Sequence, residues 1–205
     1  MMAFREGLPG TIRRVDYQTP DFTVTAVSLS VQIFSGRTEV TAALSFVRRG
    51  AASAPLQLNG EQLALQWLEL DGERLSEYHY QITDEQLCIP SLPDQFELKT
   101  CVRICPEENT SLEGFYRSQS AYCTQCEAEG FRKITYFPDR PDVLAIYTVS
   151  LEADRVACPV LLSNGNLVSE ETLEGGRHRA VWHDPYPKPA HLFAMVAGDL
   201  KPVSD

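Results

Sequence analysis

The chain has 205 residues, of which 43% are apolar and 22% charged, a balance typical of folded globular proteins and unlike that of disordered ones. Its 28 acidic and 18 basic residues give a net charge of -10, which repels a phosphate backbone and argues against nucleic acid as a partner. No apolar run approaches the roughly 20 residues that a membrane-spanning helix needs, and the start of the chain lacks the apolar core of a signal peptide. We therefore expect a cytoplasmic protein with no membrane partner.

The first half of the chain shows the alternation typical of antiparallel strands. Residues 1–20 predict an extended arm, and the first strand begins at Phe22. Its inward face switches near Ala26 and Val27, as a bulge would cause, and a glycine turn then leads into a second strand that forms a hairpin with it. Turns are predicted at Asn59-Gly60 and Asp71-Gly72, and further strands at 63–67, 78–82, 87–89 and 96–104.

The second half of the chain also predicts strands joined by turns. Alternation predicts a strand at 146–151, glycines predict turns at 164–166 and 175–176, and the last strand is expected at 191–197. Prolines at 185, 187 and 189 predict an extended connector. The spacing of about 8 to 12 residues between strands predicts an all-β, sandwich-like domain of several mostly antiparallel sheets. We expect residues 1–205 to form this single β domain.

Polar chemistry is concentrated in residues 123–133, which hold two thiols, an amide, two carboxylates and two cations. The common parity of Gln125, Glu127 and Glu129 places all three on one face if this segment is extended. An amide beside a carboxylate suits an ammonium group, which offers only hydrogen-bond donors. The alternative is a solvated network in which the two glutamates pair with the two cations that follow them.

The cysteines allow a zinc site or a redox pair. Cys101, Cys105, Cys123 and Cys126 could be written as four zinc ligands. Along one strand, however, Cys101 and Cys105 would lie about 13 Å apart, whereas two ligands of one zinc lie about 4 Å apart. A redox pair at Cys123 and Cys126 needs a helix N-terminus at the first thiol, and the surrounding pattern predicts strands. We therefore expect structural thiols, no metal ligand in this chain and, from the residues alone, a binding or scaffolding domain.

Motifs spread along the chain nevertheless resemble a known family. The central one is CTQCEAEGFR at 123–132, continued by ITYFPDRPDV at 134–143. Further matching segments lie, in order, at 19–22, 54–60, 109–116, 161–166, 187–189 and 192–199. Over essentially the whole chain they resemble the N-terminal domain of the bacterial aminopeptidase N (alanyl aminopeptidase) family, which belongs to the gluzincin zinc metallopeptidases.

The resemblance implies a saddle-shaped β-structure that lies over the catalytic domain of the same polypeptide. It implies that Gln125 and Glu127 enter the substrate pocket and that the glutamate helps to bind the free α-amine at the N-terminus of a peptide substrate. A carboxylate does this through a charge-assisted hydrogen bond. Glu129, Arg132 and Tyr136 are expected to support the loop without direct contact.

The resemblance also implies that the parent protein is a zinc-dependent aminopeptidase, a hydrolase that removes N-terminal amino acids from peptides. The family's HExxH zinc helix and GxMEN motif are absent from these residues. We therefore expect the zinc ligands to lie outside this chain, and the isolated chain to hold no cofactor and to be inactive. The alternative is a free-standing β-sandwich adaptor, without catalytic activity, that binds a protein partner through the face carrying Gln125.

Overall fold

Alternating apolar residues form long strands throughout the computed structural model, which describes residues 13–201 and 203. Most of the predicted arm, residues 1–12, lies outside the described residues. The strands are β1 (Phe22–Phe34), β2 (Arg37–Arg48), β3 (Leu56–Asn59), β4 (Ala64–Leu70), β5 (Glu73–Arg74), β6 (Gln81–Ile82), β7 (Gln86–Ile89), β8 (Gln95–Ile104), β9 (Gly114–Ser118), β10 (Ala121–Gln125), β11 (Leu144–Asp154), β12 (Val160–Ser163), β13 (Asn166–Thr172), β14 (Arg177–Pro189) and β15 (Met195–Gly198). Short 3-10 helices cover Arg14–Asp16, Glu77–His79, Phe131–Lys133, Glu174–Gly176 and Ala190–Leu192. No helix of the described part is long and apolar enough to cross a membrane.

The strands assemble into three sheets. The largest has eight strands in the order β13-β14-β11-β1-β2-β8-β4-β5, the second has four in the order β12-β15-β10-β9, and the third has three in the order β3-β7-β6. Strands β1 and β11 run parallel, and every other described pair of neighbours is antiparallel. The predicted all-β architecture of several mostly antiparallel sheets is confirmed.

The predicted bulge in the first strand is also confirmed. The register between β1 and β2 shifts between Val24 and Ala26, and the inward face changes parity there. Val24 and Val27 are both buried, although only Thr25 and Ala26 separate them, and both of those are exposed. One extra residue on the bulged strand reverses the side chains that follow it, so both halves of the strand bury their apolar residues.

Two predictions for individual segments, an extended connector and a strand, were wrong. The proline-rich segment at 185–189 is the end of β14, where Lys188 pairs with Ala145 of β11. Strand β13 begins opposite His183, so β14 has an open edge beyond that point and tolerates residues that lack a backbone donor. The predicted strand at 78–82 is a strand only at Gln81–Ile82, and the 3-10 helix Glu77–His79 leaves Tyr78 99% exposed.

An aromatic cluster joins the sheets below the segment that the sequence singled out. Phe131 packs edge-on against Tyr147 of β11, against Phe137 and against Phe193, with ring centroids 4.9 to 6.1 Å apart. All four rings are at most 3% exposed. Because Phe131 follows residues 123–130 directly, this cluster fixes the C-terminal side of the polar segment to both large sheets.

Candidate functional site

The two predicted site residues flank a buried cysteine at the end of β10. Gln125 is the last residue of the strand and its side chain is exposed. Cys126 turns inward and is only 3% exposed, and Glu127 is exposed again. The burial of Cys126 therefore anchors the segment while the amide and the carboxylate on either side of it face out of the domain.

Glu129 does not continue this alternation, contrary to the expectation of one extended face. The backbone turns after Gln125, with the N–H of Gly130 donating to the carbonyl of Cys126 at 2.8 Å, and the peptide bond between Glu127 and Ala128 is cis. The turn carries Glu129 to Arg132, where carboxylate and guanidinium lie 3.3 Å apart. The structure thus separates the acidic pair that parity had grouped together.

Only half of the alternative ion network is present. Glu129 pairs with Arg132 as that interpretation required, but Lys133 bonds instead to Glu113 at 2.7 Å. The Glu127 side chain makes no hydrogen bond or ion pair with any residue between 13 and 201. Its carboxylate is exposed and lacks a described counter-charge, so it can accept a cation without breaking an existing contact.

The Gln125 amide is oriented by its own loop. Its Nε2 donates to the backbone carbonyl of Glu127 at 3.2 Å. This bond uses the donor side of the amide and leaves the Oε1 acceptor without a partner among the described residues. A nearby cleft of about 480 Å³ is lined by Glu129, Arg132 and Asp139 and not by Gln125 or Glu127. The two acceptors therefore stand on an open surface.

Two glycines allow the loop to close against the neighbouring strand. Gly114 of β9 pairs with Gln125, has a φ of +72° and lies against Lys133 and Gly130. A Cβ on Gly130 would come 2.3 Å from the Gln125 carbonyl oxygen and 2.8 Å from the Gly114 nitrogen. Only a residue without a side chain fits at either position, so the backbone of Gln125 is held by close packing.

We expect Gly130→Ala to destabilise the chain by about 1 to 3 kcal/mol, because the methyl group must displace backbone rather than a flexible side chain. Urea unfolding measures the change. Gly36→Ala is the control: its methyl group meets no atom within 4 Å, so only the strain of its φ of +77° remains. A Gly130→Ala change no larger than that of the control would contradict the packing account.

Arg132 ties the loop to a buried carboxylate. Its Nε and its backbone N–H both donate to Oδ2 of Asp139, at 3.2 and 3.1 Å, and Nη2 donates to the Asp139 carbonyl. The Asp139 side chain is only 2% exposed. Burial raises the pKa of that carboxyl, and the bonds from Arg132 act in the opposite direction. Asn59 completes the link by accepting the Asp139 N–H through Oδ1 at 3.1 Å.

Sequence reasoning missed most of these supporting residues. Asn59-Gly60 was interpreted as a turn, but Asn59 ends β3 and exchanges both backbone hydrogen bonds with Phe137. Gly60 lies under the buried ring of Tyr136, where a Cβ would come 2.3 Å from ring carbons. The signal that could have identified this contact was the glycine itself, since a glycine can mark close approach as well as a turn.

The thiols do not form the redox or zinc sites considered above. Cys123, the first thiol of the pair, lies within β10 and not at the N-terminus of a helix, where a redox nucleophile would have its pKa lowered. Cys101 and Cys123 lie in different sheets. Among residues 13–201 and 203 no group of three or more histidine, cysteine, aspartate or glutamate side chains could hold a metal ion. The described residues therefore do not fit a zinc ion.

Comparison with known proteins identifies relatives of the same kind over nearly the whole chain. Aminopeptidase N of Caulobacter vibrioides is 48% identical over 201 residues, which are 98% of this chain and 23% of that protein. The crystal structure of Legionella pneumophila aminopeptidase A in complex with aspartic acid matches with a TM-score of 0.86 and 35% identity, covering 91% of this chain and 22% of that one. This chain therefore spans about a quarter of the length of these relatives.

A more distant structure shares the fold. It is an M1 zinc metallopeptidase mutant from Deinococcus radiodurans bound to a Tyr-Ser-Ala substrate, with a TM-score of 0.75, 16% identity, and coverage of 88% of this chain and 43% of that one. The family model described as the Peptidase M1 N-terminal domain matches residues 20–192, a range that contains all three sheets except β15. The chain belongs to the Peptidase M1 N-terminal domain family.

Proposed function

We propose that residues 1–205 are the N-terminal domain of a zinc-dependent aminopeptidase and that Gln125 and Glu127 bind the free α-amine of its peptide substrates. The observation that carries this proposal is the pair of outward acceptors around buried Cys126. Glu127 has no described counter-charge, while the neighbouring Glu129 is already paired with Arg132. The family supports the parent activity, because its relatives include aminopeptidases.

The chemistry of the pair fits an ammonium group. An ammonium offers three donors and no acceptor, so it needs several oxygens around it. The Gln125 Oε1 and the Glu127 carboxylate supply such oxygens, and only the carboxylate adds charge. In open solvent this attraction is weak because water screens it. The attraction between the ammonium and these oxygens becomes strong when another surface covers Gln125 and Glu127 and excludes water. The rest of the polypeptide would supply that surface, together with the zinc ligands. The domain therefore contributes only part of the substrate-binding site.

The proposal is tested by comparing the 205-residue chain with the longer polypeptide that contains it. We expect the short chain to release no product from a chromogenic amino-acid amide and to carry no zinc by mass spectrometry. The longer polypeptide should show both turnover and one zinc per molecule. Turnover by the short chain would contradict the proposal. A longer polypeptide without aminopeptidase activity would favour the adaptor alternative.

A further inference from the structure

A leucine in a strained backbone conformation lies beside the candidate site. Leu112, in the loop between β8 and β9, has a φ of +59°. Glycine, asparagine and aspartate accept this left-handed conformation, but for a bulky side chain it is an outlier that costs free energy. Asp71 and Gln119 also have a positive φ, but both lie in tight turns between paired antiparallel strands, where it is usual. Strands β8 and β9 are not paired, so the conformation of Leu112 has another cause.

Two side chains hold the residues on either side of Leu112. The Asn109 Oδ1 accepts the N–H of Ser111 at 3.1 Å, and its Nδ2 donates to the Glu113 carbonyl at 2.8 Å. The Lys133 Nζ donates to the Ser111 hydroxyl at 3.2 Å and to the Glu113 carboxylate at 2.7 Å. A strained residue persists only where the surrounding structure fixes it in this way. The loop therefore holds Leu112 in a conformation that leucine does not favour.

Packing within the described part of the domain does not offset this strain. The Leu112 side chain is 53% exposed and lies outside the buried core. A leucine gains free energy when its apolar surface leaves water, and half of that surface stays in water here. Strained residues cluster at binding and catalytic sites, where the strained position is part of the function. The conformation and exposure of Leu112 therefore indicate a contact with a molecule outside the domain.

Leu112 lies at the end of the sheet where Gln125 and Glu127 face outward. Gly114 and Gln125 form the last pair in the antiparallel ladder of β9 and β10. Leu112 precedes this pair by two residues and Glu127 follows it by two, so both leave the ladder at the same end. Lys133, which holds the leucine loop, ends the 3-10 helix that follows the Gln125 loop. One end of the ladder therefore carries the leucine and both acceptors.

We propose that Leu112 contacts the side chain of the substrate's N-terminal residue and favours apolar side chains at that position. The proposal rests on the function proposed above and deepens it by naming a residue that discriminates among substrates. The α-carbon of the substrate lies about 1.5 Å from its amine nitrogen. A substrate whose amine binds to Gln125 and Glu127 therefore places its first side chain beside them. A leucine at that point removes an apolar side chain from water and offers no partner to a charged one.

The fixed position of Leu112 makes such a contact selective. A side chain on a mobile loop loses conformational freedom when a ligand binds, and this loss weakens the contact. Asn109 and Lys133 already hold the loop, so binding requires little further ordering of its backbone. The strain of Leu112 is then present before the substrate arrives, and the substrate meets a preformed apolar surface.

Leu112→Asn in the longer polypeptide tests the contact. Asparagine accepts a positive φ more readily than leucine, so the loop is expected to keep its conformation. We expect the ratio of kcat/KM for the chromogenic amide of leucine to that for the amide of alanine to fall roughly 5- to 20-fold, because the variant loses an apolar contact that the larger side chain makes. Leu167→Asn is the matched control. Leu167 is 45% exposed on β13 of another sheet, so its replacement should leave the ratio unchanged.

Urea unfolding of the 205-residue chain shows whether the substitution disturbs the domain. Because it relieves backbone strain, we expect the urea midpoint of Leu112→Asn to be no lower than that of the unchanged chain. Leu112→Gly, which also accepts a positive φ, repeats the kinetic comparison with a second residue. A lower midpoint in both variants would show that the leucine stabilises the domain itself and would overturn the proposal.

An unchanged ratio of the two amides in the folded Leu112→Asn variant would also overturn the proposal. So would an equal loss of kcat/KM for both amides, since it would place Leu112 against the rest of the polypeptide and not against the substrate. A longer polypeptide that hydrolyses neither amide would overturn this proposal together with the proposed function.

The kinetic test separates the contact at Leu112 from the amine-binding role of Glu127. Glu127→Gln is expected to weaken both amides alike, because both carry the same α-amine. A lowered ratio in Leu112→Asn without any effect of Glu127→Gln would keep the leucine contact and remove the amine-binding role. An effect of Glu127→Gln together with an unchanged ratio in Leu112→Asn would do the reverse.

Discussion

We expect Glu127→Gln, in the longer polypeptide that contains this chain, to lower kcat/KM for substrates with a free α-amine by roughly 10- to 100-fold, which corresponds to the loss of one charge-assisted hydrogen bond of about 1.5 to 3 kcal/mol. Glutamine keeps the shape of the side chain and removes its charge. The ammonium is present in both the bound substrate and the transition state, so the larger part of the change is expected in KM. Steady-state kinetics on an amino-acid amide series measure it.

Glu129→Gln is the matched control for this prediction. It makes the same chemical change two residues away, but the Glu129 carboxylate pairs with Arg132 at 3.3 Å and its side chain is 53% exposed. Because exposed ion pairs contribute only up to about 1 kcal/mol, we expect less than roughly a fivefold change in kcat/KM. Equal effects of the two substitutions, whether large or absent, would remove Glu127 from its special role.

The second large effect is expected at the buried end of the same loop. Arg132→Met leaves the Asp139 carboxylate, 2% exposed, without its cation. We expect a loss of about 3 to 5 kcal/mol in the free energy of unfolding, because removing one partner of a buried pair leaves an uncompensated charge. Urea unfolding of the chain at neutral pH measures the loss. Asp139→Asn in the Arg132→Met background should restore much of it, since the amide needs no counter-charge.

The pH dependence of that loss has a defined sign. Burial already raises the pKa of Asp139 above its ordinary value, and Arg132 opposes this effect. Without Arg132 the pKa rises further, so the folded variant favours the protonated acid more strongly than the unfolded chain does. The contribution of Asp139 to stability is then fully present below its pKa in the unfolded chain. This contribution is lost as the pH rises through the pKa of Asp139 in the folded variant. The Arg132→Met defect should therefore be smaller at about pH 5 than at about pH 7.5.

Arg140→Met provides the control for both experiments. Arg140 also bonds to a carboxylate, Asp142, at 2.7 and 2.8 Å, but its side chain is 39% exposed. We expect a loss below about 1 kcal/mol, as for other exposed pairs. A loss at Arg132 as small as that at Arg140, or one that does not change with pH, would mean that Asp139 is not held as a buried charge.

Local patterns in the sequence predicted the parts of the fold that depend on neighbouring residues. The parity switch at Ala26 and Val27 indicated a bulge, and the register shift confirms it. The Asp71-Gly72 turn likewise joins two antiparallel strands, β4 and β5. Each of these features is decided within a few residues by side-chain alternation or by backbone conformation, so the sequence alone is sufficient to predict them.

Contacts between distant segments could not be predicted in the same way. Asn59 meets Phe137 and Asp139 across about eighty residues, and Gly114 meets Gly130 because β9 and β10 pair. Nothing in the local pattern distinguishes such a glycine from one in a turn. The three-residue parity of Gln125, Glu127 and Glu129 failed for the same reason, since the turn at Gly130 depends on tertiary packing and overrides the strand period.

The most direct test of the amine-binding role removes each partner of one interaction in turn, the amine of the ligand and the charge of Glu127. A competitive inhibitor with a free α-amine and its desamino counterpart are titrated against the longer enzyme and its Glu127→Gln variant. If the Glu127 carboxylate binds the ammonium, the preference for the amine falls by roughly 10- to 100-fold in the variant, and the desamino inhibitor binds both proteins about equally. An unchanged preference for the amine in the variant would contradict the account.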